Sequence, residues 1–208
     1  MHVSDVAYKP TAAEVKQLRE ETQAGMMDCK QALEENTGDM DAAKKWLREK
    51  GLAAAGKRAG RGTGAGVIES YIHATGTIGA MVEIGCETDF VARNDTFKAF
   101  ARDVALQIAA GRSLQFVSED EIPAEFRAAE LDTFRGKAAN EGKPENMLDK
   151  IAEGMWNKSL VDTVLLKQPS IKPEHDGKTI ETLRAELSGT IGENIEIKRF
   201  ARFEVGAE

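Results

Sequence analysis

Three places in the chain hold residue types that could do chemistry. Gly177-Lys178-Thr179 has the ending of a phosphate-cradling loop, in which the Lys reaches nucleotide phosphates and the hydroxyl holds Mg²⁺. That loop also needs an earlier glycine where Lys172 stands, and it should follow a buried strand, not Pro173 and charged neighbours. A turn opening a helix capped by Thr179 is the expected structure. The glycine-rich stretch GLAAAGKRAGRGTGAG, residues 51–66, contains no G-x-G-x-x-G register and precedes a strand instead of following one, so it is no dinucleotide fingerprint. His2, His73 and His175 are too scattered for a metal site, and Cys29 and Cys86 form no C-x-x-C pair. No G-x-S-x-G elbow occurs. The chain is therefore read as a non-enzyme with no cofactor and no metal of its own.

Composition points the same way. The 208 residues are 41% hydrophobic, enough for one core plus a small satellite domain, and 30% charged with a net charge of −7. That acidity argues against nucleic-acid binding, which needs a basic face to displace counterions from phosphate. A protein partner suits it better. Two distant cysteines suit a reducing compartment. No apolar run approaches the roughly 20 residues that cross a bilayer. The opening MHVSDVAYKP lacks a secretory apolar stretch, so a cytosolic or mature organellar protein is expected.

The elements follow from capping and periodicity. Thr11-Ala-Ala-Glu14 is a capping box ahead of Val15 and Leu18. After Gly25, residues Met26, Met27, Cys29 and Leu33 predict a second helix, and Asp39 can cap a third containing Ala42, Ala43, Trp46 and Leu47, ended by Gly51. This is a three-helix bundle over residues 1–54. Residues 51–66 read as a flexible linker to an α+β core domain over 55–208. There the period changes to two: Val67–Ala74, a Thr75-Gly76-Thr77 turn and Ile78–Cys86 predict a hairpin. Helices follow, carrying Phe97, Phe100, Val104 and Ile108, then over Ala124–Asn140, Pro144–Lys158 and Thr179–Ile191. A strand from Asn194 to Val205 completes a three-stranded antiparallel sheet packed with helices.

Two segments carry a family resemblance. Leu18-Arg-Glu-Glu-Thr-Gln-Ala-Gly-Met-Met-Asp-Cys-Lys-Gln-Ala-Leu33 resembles the first signature of the elongation factor Ts family, and Cys86-Glu-Thr-Asp-Phe-Val-Ala-Arg-Asn-Asp95 resembles its second, built around T-D-F-V-A. The stretch Ile191-Gly-Glu-Asn-Ile-Glu-Ile-Lys-Arg-Phe200 is similar too, so the resemblance runs along nearly the whole chain.

The resemblance implies a ubiquitin-associated-type bundle and a guanine-nucleotide exchange factor for the GTPase elongation factor Tu, acting during translation elongation. Residue by residue it implies that Leu18, Arg19, Met26 and Met27 touch the GTPase domain. It also implies that Thr88, Asp89, Phe90 and Val91 disturb the partner's Mg²⁺ and phosphate site. From the residues alone, the methionines either meet a partner or fill the bundle core, and Phe90 either enters a partner or packs near Phe97. His73, on a Ser70-Tyr-Ile-His73 segment similar to one in the second subdomain of longer members, is either a contact or an outward-facing strand residue. With a single core copy, the chain resembles a short form. That implies a homodimer forming a 2:2 complex; the charge and the lack of a long apolar run add the expectation of bacterial cytoplasm or plastid stroma, with no membrane and no direct nucleic-acid binding. The rival reading is a passive protein-binding module of the translation apparatus.

Overall fold

The computed structural model describes residues 8–22 and 24–207; His2 lies outside them. Among these residues are eight α-helices and a three-stranded sheet, an α+β architecture. Contacts divide the chain into two compact units. The first takes in residues up to 66 together with 85–97 and 182–196; the second takes in 67–84, 98–181 and 197 onward.

The first unit begins with α1 (Ala12–Thr22), α2 (Met26–Glu35) and α3 (Met40–Arg58), which pack on one another as a small bundle. The capping box forms: the Glu14 N–H donates to Thr11 Oγ1 at 3.2 Å and the Thr11 N–H to Glu14 Oε2 at 2.7 Å. Asp39 caps α3 by accepting from the Asp41 and Ala42 N–H groups. Val15, Leu18, Cys29, Ala32, Leu33 and Ala43 are the buried core, with Trp46 and Leu47 against it. Gly38 turns the chain between α2 and α3 at φ +85°, where a Cβ would strike the Tyr8 ring at 2.5 Å.

Helix α3 does not stop at Gly51. It runs on to Arg58, so the first half of the expected flexible linker is helical, and a boundary at 54/55 falls inside this helix. Two physical reasons are visible. Leu52-Ala-Ala-Ala55 is a strong helix-forming run. Gly51, for its part, is used for a close approach, not a stop: it faces Gly189 of α8 (Ile180–Ile191), and a Cβ on Gly189 would come within 2.7 Å of the Gly51 Cα. Past α3 the chain is held as well. Asn194 Nδ2 donates to Arg61 O at 2.8 Å, and the Thr63 hydroxyl donates to Glu196 at 2.5 Å.

In the second unit, β1 (Ala65–Ile72), β2 (Ile78–Cys86) and β3 (Ile195–Glu204) line up in the order β1-β2-β3, each strand reaching slightly beyond the unit's limits. One face carries Ala80, Val82 and Ile84, all buried. On that side Arg202 donates to the carbonyl of Ala109 on α5 (Asp95–Ala110), whose Phe100, Ala101, Val104, Ala105 and Ile108 are buried too. Helices α6 (Ala124–Asn140) and α7 (Leu148–Thr163) form an antiparallel pair; the expected start at Pro144 becomes a short 3₁₀ turn before α7. Phe116, Phe126 and Trp156 fill its root, Phe116 and Phe126 edge to face at 5.3 Å. Ser170, Lys172 and His175 tie the loop before α8 to α5: Ser170 Oγ lies 2.7 Å from His175 Nδ1, and Lys172 donates to Asp103 at 2.8 Å. The phosphate-loop-like Gly177-Lys-Thr179 is the expected turn, with Asp176 and Gly177 at positive φ just ahead of α8.

Candidate functional site

The segment after β2 is a single helical turn, α4 (Asp89–Ala92), built to hold its base still and leave its tip bare. Thr88 is its N-cap, extended at φ −127° and ψ 157°, its hydroxyl accepting from the Val91 N–H at 3.4 Å. Beneath it the buried Cys86 thiol donates to the Thr88 carbonyl at 3.2 Å. Burial first, then the nearby Glu193 carboxylate, push that thiol above its ordinary value, so it stays protonated.

The tip is different. Phe90 is 81% exposed, so the alternative in which it packs beside Phe97 does not occur; Phe97 itself is fully buried. Asp89 is exposed and pairs with Arg93 one turn on at 3.0 Å, a solvent-facing bridge of small energy that a partner can displace. Val91 is half-buried and roots the turn. An aromatic ring in water next to a carboxylate costs solvation with no return inside this chain. Burying such a ring in a partner is worth about 1.5–3 kcal/mol.

The first signature divides. Met26 and Met27 open α2 after Gly25 and are 57% and 72% exposed, which decides against the core alternative for both. Arg19, near the end of α1, is also exposed, so an apolar and a cationic group share the end of the bundle where α1 gives way to α2. Leu18 is corrected: it is fully buried in the bundle core and has no surface to offer. His73, in the second unit, lies exposed in the turn between β1 and β2, its Nδ1 3.2 Å from the Tyr71 hydroxyl. This exposure is what both the outward-facing and the contact reading require.

The residues missed from sequence are Glu87, Glu193 and Asn194, which grip the base of α4 from both sides. Their signal was present in the E-T-D-F and I-G-E-N stretches. The separation of 105 positions between Thr88 and Glu193 hid the partnership. Among the described residues no group of three or more His, Cys, Asp and Glu side chains is placed to hold a metal, and no helix is long and apolar enough to cross a membrane.

The family model described as Elongation factor TS matches residues 2–176. The chain is 52% identical over 192 residues to "Elongation factor Ts" of Thermosynechococcus vestitus, covering 92% of this chain and 64% of that relative. To that of Solidesulfovibrio magneticus it is 52% identical over 198 residues, covering 95% of this chain and 98% of the relative. To that of Carboxydothermus hydrogenoformans it is 52% identical over 196 residues, covering 94% and 89%. The chain therefore spans just under two thirds of the first of these relatives and nearly all of the second. With its three-helix bundle, its T-D-F-V turn and this identity along most of its length, the chain belongs to the elongation factor Ts family of translation factors.

Proposed function

We propose that the chain is a guanine-nucleotide exchange factor that binds elongation factor Tu in its GDP form and promotes GDP release. The single observation that carries this reading is the exposure of Phe90 on a turn whose base is fixed by hydrogen bonds. A passive docking module gains the energy of burying the ring but does not need the ring's direction fixed; a wedge does.

The work is done by linkage, without bond-making. A factor that prefers the nucleotide-free GTPase weakens GDP binding by the same factor as GDP weakens its own. A coupling of about 4 kcal/mol corresponds to roughly 10³-fold in affinity. Two anchors divide the task. Arg19, Met26 and Met27 at the end of the bundle grip the GTPase domain, the methionines adapting their shape to it. Thr88, Asp89, Phe90 and Val91 press on the metal and phosphate side. Mg²⁺ demands near-octahedral ligation, so a carboxylate such as Asp89 brought close to it, or a ring shifting the ligating side chains, loosens the ion and with it the phosphates. His73 is a secondary contact in this scheme. The cytoplasm is the expected site of action, and a homodimer, giving a 2:2 complex, the expected assembly.

The test is stopped-flow release of fluorescent GDP from elongation factor Tu with the wild-type chain and with Asp89→Ala/Phe90→Ala. Acceleration by the wild type that the double variant loses supports exchange and its lever. Binding without acceleration makes the chain a passive module and defeats the proposal.

A further inference from the structure

The loop joining α8 to β3, Gly192-Glu193-Asn194, belongs to the I-G-E-N stretch and supplies the bonds that fix the base of α4. Its carboxylate holds the entry to α4 at three points. Glu193 Oε2 accepts from the Glu87 N–H and the Thr88 N–H, both at 3.0 Å, and Oε1 accepts from the Thr88 hydroxyl at 2.6 Å. The grip is reciprocal: the Asn194 N–H donates to Glu87 Oε1 at 2.7 Å, and Arg61 Nη1 lies 3.4 Å from the same oxygen. The loop that supplies these groups is itself fixed. Ser188 Oγ donates to the Glu193 carbonyl at 2.6 Å, Gly192 turns at φ +85°, and Asn194 is 3% exposed with its amide on Arg61 O at 2.8 Å.

Two carboxylates placed this close repel each other unless each is occupied by donors. Here each accepts from backbone N–H groups, and Glu87 also from a guanidinium, so the charges are held where they lock the chain. The consequence falls on the next residues. With Glu87 and Thr88 fixed, the φ and ψ angles that aim Asp89 and Phe90 are set before any partner arrives.

We propose that Glu193 is a positioning residue for exchange: it presets the Thr88–Val91 turn so that Phe90 reaches the partner without first being ordered. Ordering a residue carries a conformational-entropy cost, and a turn already ordered in the free chain does not meet that cost again when the bound factor drives the ring into the partner. The inference rests on the exchange reading of the turn given above. It concerns aim, since Glu193 bonds the base of the turn and not its tip.

The experiment uses the full chain with Glu193→Ala and Glu193→Gln, each also combined with Phe90→Ala, and elongation factor Tu carrying fluorescent GDP. Glu193→Ala is expected to lower the release rate at saturating factor about tenfold. The half-saturating concentration and the thermal midpoint move far less, because the bundle anchor and the core are intact. Glu193→Gln keeps one acceptor oxygen and is expected to recover most of the rate. In the Phe90→Ala background the same Glu193→Ala change costs far less, since only Asp89 is left to aim. Independently of activity, amide hydrogen exchange at Glu87 and Thr88 in the free chain rises about tenfold in Glu193→Ala. Wild-type release in Glu193→Ala overturns the inference, as do unchanged Thr88 protection and an equal loss in the Phe90→Ala background. If the wild-type chain itself fails to accelerate release, the exchange reading falls and takes the inference with it. Amide protection lost in Glu193→Ala then still identifies the clamp as a structural feature, so the two failures are told apart.

Discussion

Phe90 and Leu18 are both apolar residues within the family-like signatures, and they sit at opposite ends of the burial scale, 81% exposed and fully buried. Substitution separates their roles. Phe90→Ala removes surface that touches water, so folding stability stays within about 0.5 kcal/mol while GDP release slows sharply. Leu18→Ala opens a cavity in a small core and costs about 2–5 kcal/mol, read from urea denaturation, with exchange failing only as the bundle unfolds. The reverse pattern, a stable Leu18→Ala chain that cannot bind, would return Leu18 to the interface. Leu18 was legible as core all along, since it continues the helical stripe begun by Val15; the family-derived role overrode a correct periodicity. Phe90 was not legible, because a sequence gives no measure of whether a ring after a strand folds inward or stays out. The bonds from Glu193 at the base of its turn join segments that only tertiary structure brings together.

At the scale of elements, caps were read directly because their chemistry is local. Thr11 with Glu14 and Asp39 with Asp41 and Ala42 involve neighbours within one turn. The capping box makes a pH prediction. The Thr11 backbone N–H first, then the Tyr8 hydroxyl and the Thr11 hydroxyl, hold the Glu14 carboxyl below its ordinary value. A carboxyl whose folded value is depressed contributes stability that is present above its unfolded value and lost as pH falls through the folded one. The bundle is thus expected to lose stability below the ordinary glutamate value of 4.5, and Glu14→Gln to lose part of that acid dependence in pH-resolved denaturation; an unchanged profile would assign it to other carboxylates. The end of α3 was misread because glycine has two uses. A helix-ending glycine needs positive φ, but Gly51 is not among the positive-φ residues and instead admits the backbone of α8. Gly189→Ala places a methyl carbon against backbone that cannot swing away. It should destabilise the chain by about 1–3 kcal/mol in urea titration, where an alanine on an open helix face would stabilise it.

At the scale of the molecule, the face of the sheet opposite the buried one asks for a cover. Arg199 Nε donates to Glu83 at 2.7 Å, and Ile72 reaches over Gly79, so residues 79, 81 and 83 of β2 share a face with Ile72 and Arg199. Alternation adds Ile68 on β1 and Phe203 on β3. Ile68, Ile72 and Phe203 are each 67% exposed and Met81 is 48% exposed. Four large apolar side chains on one open sheet face are more than a solvated surface needs. A second copy of this chain is the expected occupant. A two-fold interface presents the same patch twice, and the Glu83–Arg199 pair supplies both charges for a self-complementary exchange across the axis. Sedimentation of the wild-type chain should give a dimer at micromolar concentration. Met81→Lys/Phe203→Asp should give a folded monomer, because both positions already face water in the single chain. If exchange draws on two copies, that monomer loses GDP-release activity while keeping the Thr88 amide protection of the wild type. A fully active monomer would assign the whole lever to one chain, with Phe90 acting alone and the sheet face serving assembly only. A wild-type chain that sediments as a monomer would remove the dimer from the scheme altogether.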